Sequence, residues 1–239
     1  MKLSTATLDF IRKVVSTAEI VKIDSIIIEP NRVRAIDDSH TVFICHVDDV
    51  PEMEFGSIGL NRIGVFNSRF DIGKTLKDFS VEAVVEGSDP DKKYARSLIM
   101  KATGVTVEYR CARPDLLRAP KAVNDVETYV IQANPEAIMM LQKGQSAMST
   151  DDVTFVGSDE GVVFEMTDIN ADKMTYQFAD AVHRIDDEDE ASISFSHSYP
   201  LKTILPLLKS DATGFFTLTS QGILKVMVNG LSVYVMPRA

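Results

Sequence analysis

RCARPDLLRAPKAVN, residues 110–124, interrupts the hydrophobic rhythm of a 239-residue chain close to its midpoint. It holds two prolines, three arginines and one lysine with no sustained period, and so reads as a linker. On each side of it the order β-α-β-β-β-α-β-β-β can be laid on the sequence. That pattern predicts a structural duplication, with a first domain over 1–110, a linker over 111–125 and a second domain over 126–239. Identity between the halves is too low to show as a sequence repeat.

Away from the linker, most of each half alternates apolar and polar residues with a period of two, the mark of strands with one buried face. Strands are expected over 22–29, 41–47, 79–84, 94–101 and 105–109, then over 127–132, 162–166, 174–178, 192–196, 215–219, 223–228 and 232–236. Helical spacing is rarer and predicts four helices, over 5–18, 60–70, 135–148 and 200–210. Ser4 is placed to cap the first, in which Leu8, Ile11, Val15 and Ala18 fall on one face. Asn134, Pro135 and Glu136 suit the start of the third, and Gly144 offers it an early end. Gly64 in the second and Pro206 in the fourth predict short or bent helices.

The composition, 45% hydrophobic and 25% charged, is that of a globular chain long enough for one large domain or two of about 120 residues. No run approaches a membrane span, residues 21–28 being broken by Lys22 and Asp24, and the N-terminus lacks a signal peptide's apolar core. A soluble, cytoplasmic protein is expected, with no membrane partner. The formal charge of −10 excludes a uniformly basic surface. Its distribution is uneven: the four helical windows carry +1, +2, 0 and +2, or +5 together, against −15 elsewhere. Arg62 and Arg69 stand seven apart, as do Lys202 and Lys209, so each pair is expected to leave one helix face. Two readings stand. The cations solvate exposed helix faces, or they form a gathered surface that holds phosphates by screened, sequence-independent contacts.

Catalytic and metal chemistry has no visible residues. The four histidines are dispersed, and Cys45 and His46 are neighbours on an expected strand, pointing to opposite faces. The acid run from Asp186 to Glu190 lacks the spacing of a calcium loop, and Gly73-Lys74-Thr75 lacks the earlier glycine of a phosphate loop. No cofactor, metal or enzymatic activity is expected.

Three segments resemble the DNA polymerase sliding clamps, most nearly the two-domain kind of T-even-type bacteriophages and, more distantly, proliferating cell nuclear antigen. They are MKLSTATLDFIRKVV at 1–15, GLNRIGVFNSRFD at 59–71 and GILKVMVNGLSVYVMPRA at 222–239. The likeness extends over the whole chain in length and element order. It implies an α+β chain of two similar clamp-fold domains, each with two inner helices backed by antiparallel β-sheets. It further implies a ring-forming homotrimer that encircles double-stranded DNA, tethers a replicative DNA polymerase and is opened by a separate clamp-loader ATPase.

Carried onto this sequence, the resemblance makes Arg12, Lys13, Arg62, Arg69, Lys143, Lys202 and Lys209 DNA-facing, with the third helix doubtful because Glu136 opposes Lys143. It makes Val105, Val107 and Tyr109 one side of a subunit joint and Met174, Tyr176 and Phe178 the other, although both rows equally suit ordinary core faces. Partner peptides would meet Leu116 and Leu117 on the linker and Tyr234, Val235, Met236 and Pro237 near the end. The alternative for the leucines is that they pin the linker to its own domains. Two rivals remain: a non-enzymatic β-rich structural or assembly protein of a virus, and an enzyme with a site invisible in one sequence.

Overall fold

The computed structural model describes residues 1–47, 49–89, 92–120, 126–158, 160–178, 182–184, 194–210, 214–219 and 221–238. The acid run at 186–190, linker residues 121–125 and the first two residues of the strand expected over 192–196 lie outside them. The chain divides into two units, Met1–Ala122 and Val123–Ala239. Residues 111–120 therefore sit with the first unit, where Ala112 bridges Gly59 and Pro114–Leu116 forms one 3-10 turn.

The first unit begins with α1 (Thr5–Ile20), where the Ser4 side chain accepts the Thr7 N–H at 3.1 Å and Ile11, Val14, Val15 and Ala18 form the buried stripe. Strands β1 (Ser25–Glu29), β2 (Arg32–Ile36), β3 (Val42–His46) and β4 (Ile58–Asn61) pair antiparallel in the order β3-β2-β1-β4. Helix α2 (Ile63–Lys74) follows, and then a sheet of β5 (Ser80–Glu86), β6 (Tyr94–Ala102) and β7 (Val105–Arg110). The helices pack on one another, and α2 also lies on β6 and β7. The outer edge of β5 is covered by the first residues of the chain, with Leu3 N–H donating to Val81 and Ala83 N–H to Met1.

The second unit repeats the theme. One sheet has the order β12-β8-β14-β15-β16, from Val182–Arg184, Glu127–Gln132, Phe215–Thr219, Leu224–Val228 and Leu231–Val235. The other has the order β11-β10-β9-β13, from Lys173–Gln177, Gly161–Thr167, Asp152–Ser158 and Phe195–Pro200. Helices α3 (Pro135–Met148) and α4 (Leu201–Ser210) pack together, α3 on β10 and β11 and α4 on β13 and β15. Asn134 caps α3 by accepting the Ala137 N–H at 2.8 Å.

Several expectations need correction. Among the described residues, four strands, not three, separate the helices of the first unit, and five those of the second. The missed strands include β2, whose Arg32 and Arg34 both pair with Glu29, and β4, whose Gly59 and Asn61 are poor strand formers. Leu60 lies in β4, and α2 begins at Ile63 because Asp24, distant in sequence, accepts the Ile63 N–H at 3.0 Å. Gly144 does not end α3. A Cβ there would stand 2.6 Å from Met166 Sδ and 2.9 Å from Met174 Sδ, so the glycine lets the helix lie close on its sheet.

Candidate nucleic-acid interface

The helical charge is smaller than expected. Extension of α1 through Glu19 leaves that helix neutral; Arg62 falls outside α2, where Asp71 and Lys74 cancel and Arg69 leaves +1; α3 is neutral and α4 is +2, for a total of +3 in place of +5. Each unit thus sets a neutral helix against a cationic one. On α1, Asp9, Lys13 and Glu19 are exposed, and Arg12 folds back to bond Asp9 at 3.2 Å with its guanidinium 5.0 Å from the Phe70 ring centre. Lys13, Lys143, Lys202 and Lys209 are exposed and have no ion-pair partner among the described residues. Lys202 and Lys209 lie two turns apart on continuous helix, so they share a face. Lys74, just beyond the expected end of its helix, was not anticipated and stands 3.9 Å from Asp71.

Arg62 and Arg69 converge, but not by helical periodicity. Arg62 occupies the position before α2 with left-handed backbone angles (φ 55°, ψ 57°). Both guanidiniums approach the ring of Tyr109, at 5.7 and 6.0 Å from its centre. Both also reach the backbone of β7: Arg69 donates to the Glu108 carbonyl at 3.1 Å, and Arg62 makes a long contact of 3.5 Å to the Arg110 carbonyl. Tyr109 is 0% exposed; its hydroxyl accepts the Asn61 N–H at 3.0 Å and donates to the Asn61 carbonyl, and burial pushes its pKa up to about 12.

Tyr109 therefore belongs to the core under α2, meeting Phe66 edge-on at 5.1 Å, and its side chain is not free for a subunit joint. Phe178 is likewise buried, packed among Phe155, Phe164 and Phe216. Val105, Val107, Met174 and Tyr176 are half-buried, the first two on the Tyr109 face of β7 and the last two on the α3 face of β11. Both strands end their sheets, and no strand or bridge among the described residues pairs with their outer sides. By contrast the far edges of the same sheets are engaged, β5 by residues 1–3 and β13 by the bridge from Ser198 to Arg238.

The residues expected to meet partner peptides separate in the same way. Leu116 is 73% exposed, whereas Leu117 is half-buried and lies near Gly59. Tyr234, Met236 and Pro237 are half-buried, but Val235 is 0% exposed and cannot receive a partner. Among the described residues no three His, Cys, Asp or Glu side chains come together as a metal site, and no helix is long and apolar enough to cross a membrane.

No protein-family model and no curated protein matches the sequence. The fold does have solved counterparts. The PCNA of A. fulgidus, solved with the C-terminal region of FEN-1 bound, matches with a TM-score of 0.62 at 17% identity over 98% of this chain and 96% of its own. Proliferating Cellular Nuclear Antigen from Entamoeba histolytica matches with a TM-score of 0.56 at 15% identity over 100% and 98%. The α+β architecture of four helices and antiparallel sheets is therefore that of PCNA-type clamps.

Proposed function

We propose that this chain is a non-enzymatic DNA sliding clamp of the two-domain bacteriophage kind: a homotrimeric ring around double-stranded DNA that holds a DNA polymerase at its template. The observation that carries the reading is the pair of antiparallel edges left unpaired among the described residues, β7 in one unit and β11 in the other, each with a half-buried apolar row on its helix side. Pairing β7 of one copy with β11 of the next covers both rows and leaves no free end, as a closed ring requires. The full-length fold likeness supports the same reading.

In this reading Lys13, Lys143, Lys202 and Lys209 hold phosphates loosely, and the acidic remainder repels DNA from other surfaces. Persistence comes from topology, and a tethered polymerase gains effective concentration at the primer end. The exposed Leu116, and Tyr234, Met236 and Pro237, are the apolar anchors offered to peptides of the polymerase and of a clamp-loader ATPase.

Native mass spectrometry and retention on DNA test the proposal. Particles of three chains, held on circular duplex and shed when the circle is cut, are the expected result. A chain that stays monomeric, or is held equally by circular and linear duplex, overturns it.

A further inference from the structure

Among the described residues the outer side of β7 meets no strand, but it does meet donors. Cys111 N–H donates to the Arg96 carbonyl on β6 at 2.9 Å, and in an antiparallel ladder alternate residues turn their peptide groups the same way. Tyr109 and Val107 therefore face β6, while Glu108 and Arg110 turn theirs outward. Those outward carbonyls are the two that Arg69 and Arg62 contact. On β11, Phe178 N–H donates to the Val162 carbonyl at 3.0 Å, so by the same alternation Lys173, Thr175 and Gln177 present outward N–H groups.

Resting on the ring reading above, we propose that Arg62 and Arg69 form a displaceable cap on the β7 edge. In a lone chain their guanidiniums occupy the Glu108 and Arg110 carbonyls; in the assembly N–H groups from β11 of a second copy take those acceptors and free both cations. Charged donors on edge acceptors compete with strand pairing, which protects an otherwise adhesive edge. Neither arginine has a carboxylate partner among the described residues, so each leaves the edge as an unneutralised cation available to phosphate. Assembly and polyanion affinity are then linked, each strengthening the other.

Sedimentation of the full chain over a concentration series tests the cap. R62A/R69A is expected to associate about tenfold more tightly than the parent chain, because the competitor for the edge is gone. Thr175→Pro, which removes an outward donor of β11, is expected to abolish association in both backgrounds. Equal or weaker association of R62A/R69A, with Thr175→Pro still disruptive, overturns the cap and leaves the ring standing. Association that survives Thr175→Pro, or its absence from all variants, overturns the cap and the β7–β11 ring together. Should R62A/R69A fail to fold by circular dichroism, Arg69→Ala alone, which removes the shorter contact, is read by the same criteria.

Discussion

Tyr109 shows how much one side chain organises here. Its hydroxyl satisfies both backbone groups of Asn61, its ring meets Phe66, and its outer surroundings hold two guanidiniums. Tyr109→Phe leaves the half-buried N–H and carbonyl of Asn61 without that partner, and urea titration should show a loss of about 1–2 kcal/mol. The same burial carries a pH dependence. The phenol ionises near 12 in the folded chain against its ordinary 10, so the unfolded chain gives up the proton first. Stability from this group is whole below pH 10 and is lost as pH rises through 12. Tyr199, bonded through its hydroxyl to the Gly222 carbonyl at 2.5 Å, is raised in the same direction by burial. Absorbance at the tyrosinate band should therefore show a late-ionising phenol that Tyr109→Phe removes.

At the scale of elements, two glycines of the β4–α2 region make opposite predictions. A Cβ on Gly59 would stand 2.5 Å from the Ala112 carbonyl, a backbone atom held by the bridge, so Gly59→Ala should cost about 2 kcal/mol and hasten proteolysis after residue 112. A Cβ on Gly64 meets nothing within 4 Å, and Gly64→Ala should raise the melting temperature through helix propensity worth about 0.5–1 kcal/mol. The contrast also marks what the sequence could disclose. Helices with local caps, Ser4 and Asn134, start where their residues say they should. The start of α2 did not, because its cap is Asp24 and only the folded chain brings it there. Likewise the alternation of Val105, Val107 and Tyr109 is legible, but which of the three is buried depends on α2 packing on β7, where Phe66 meets Tyr109. The cationic pair at 62 and 69 does converge, though not on a helix face. Seven-residue spacing suggested one helix face, whereas an aromatic ring and an edge strand gather them.

For the molecule as a whole, the proposed clamp reading makes a quantitative statement about DNA, because the cationic surface is sparse. Lys202→Ala with Lys209→Ala should lower the salt dependence of binding to a linear duplex by about 2 in logarithmic slope for each chain that meets it. Folding and native mass should be unchanged, since both side chains are exposed. A further consequence lies in the neutral helix each unit sets beside its cationic one. In the proposed ring, a lining with few anchors would have no deep well at any base pair, so a duplex would drift across it with little friction. Added salt should then quicken diffusion along the contour, while a threaded particle stays on an unbroken circle.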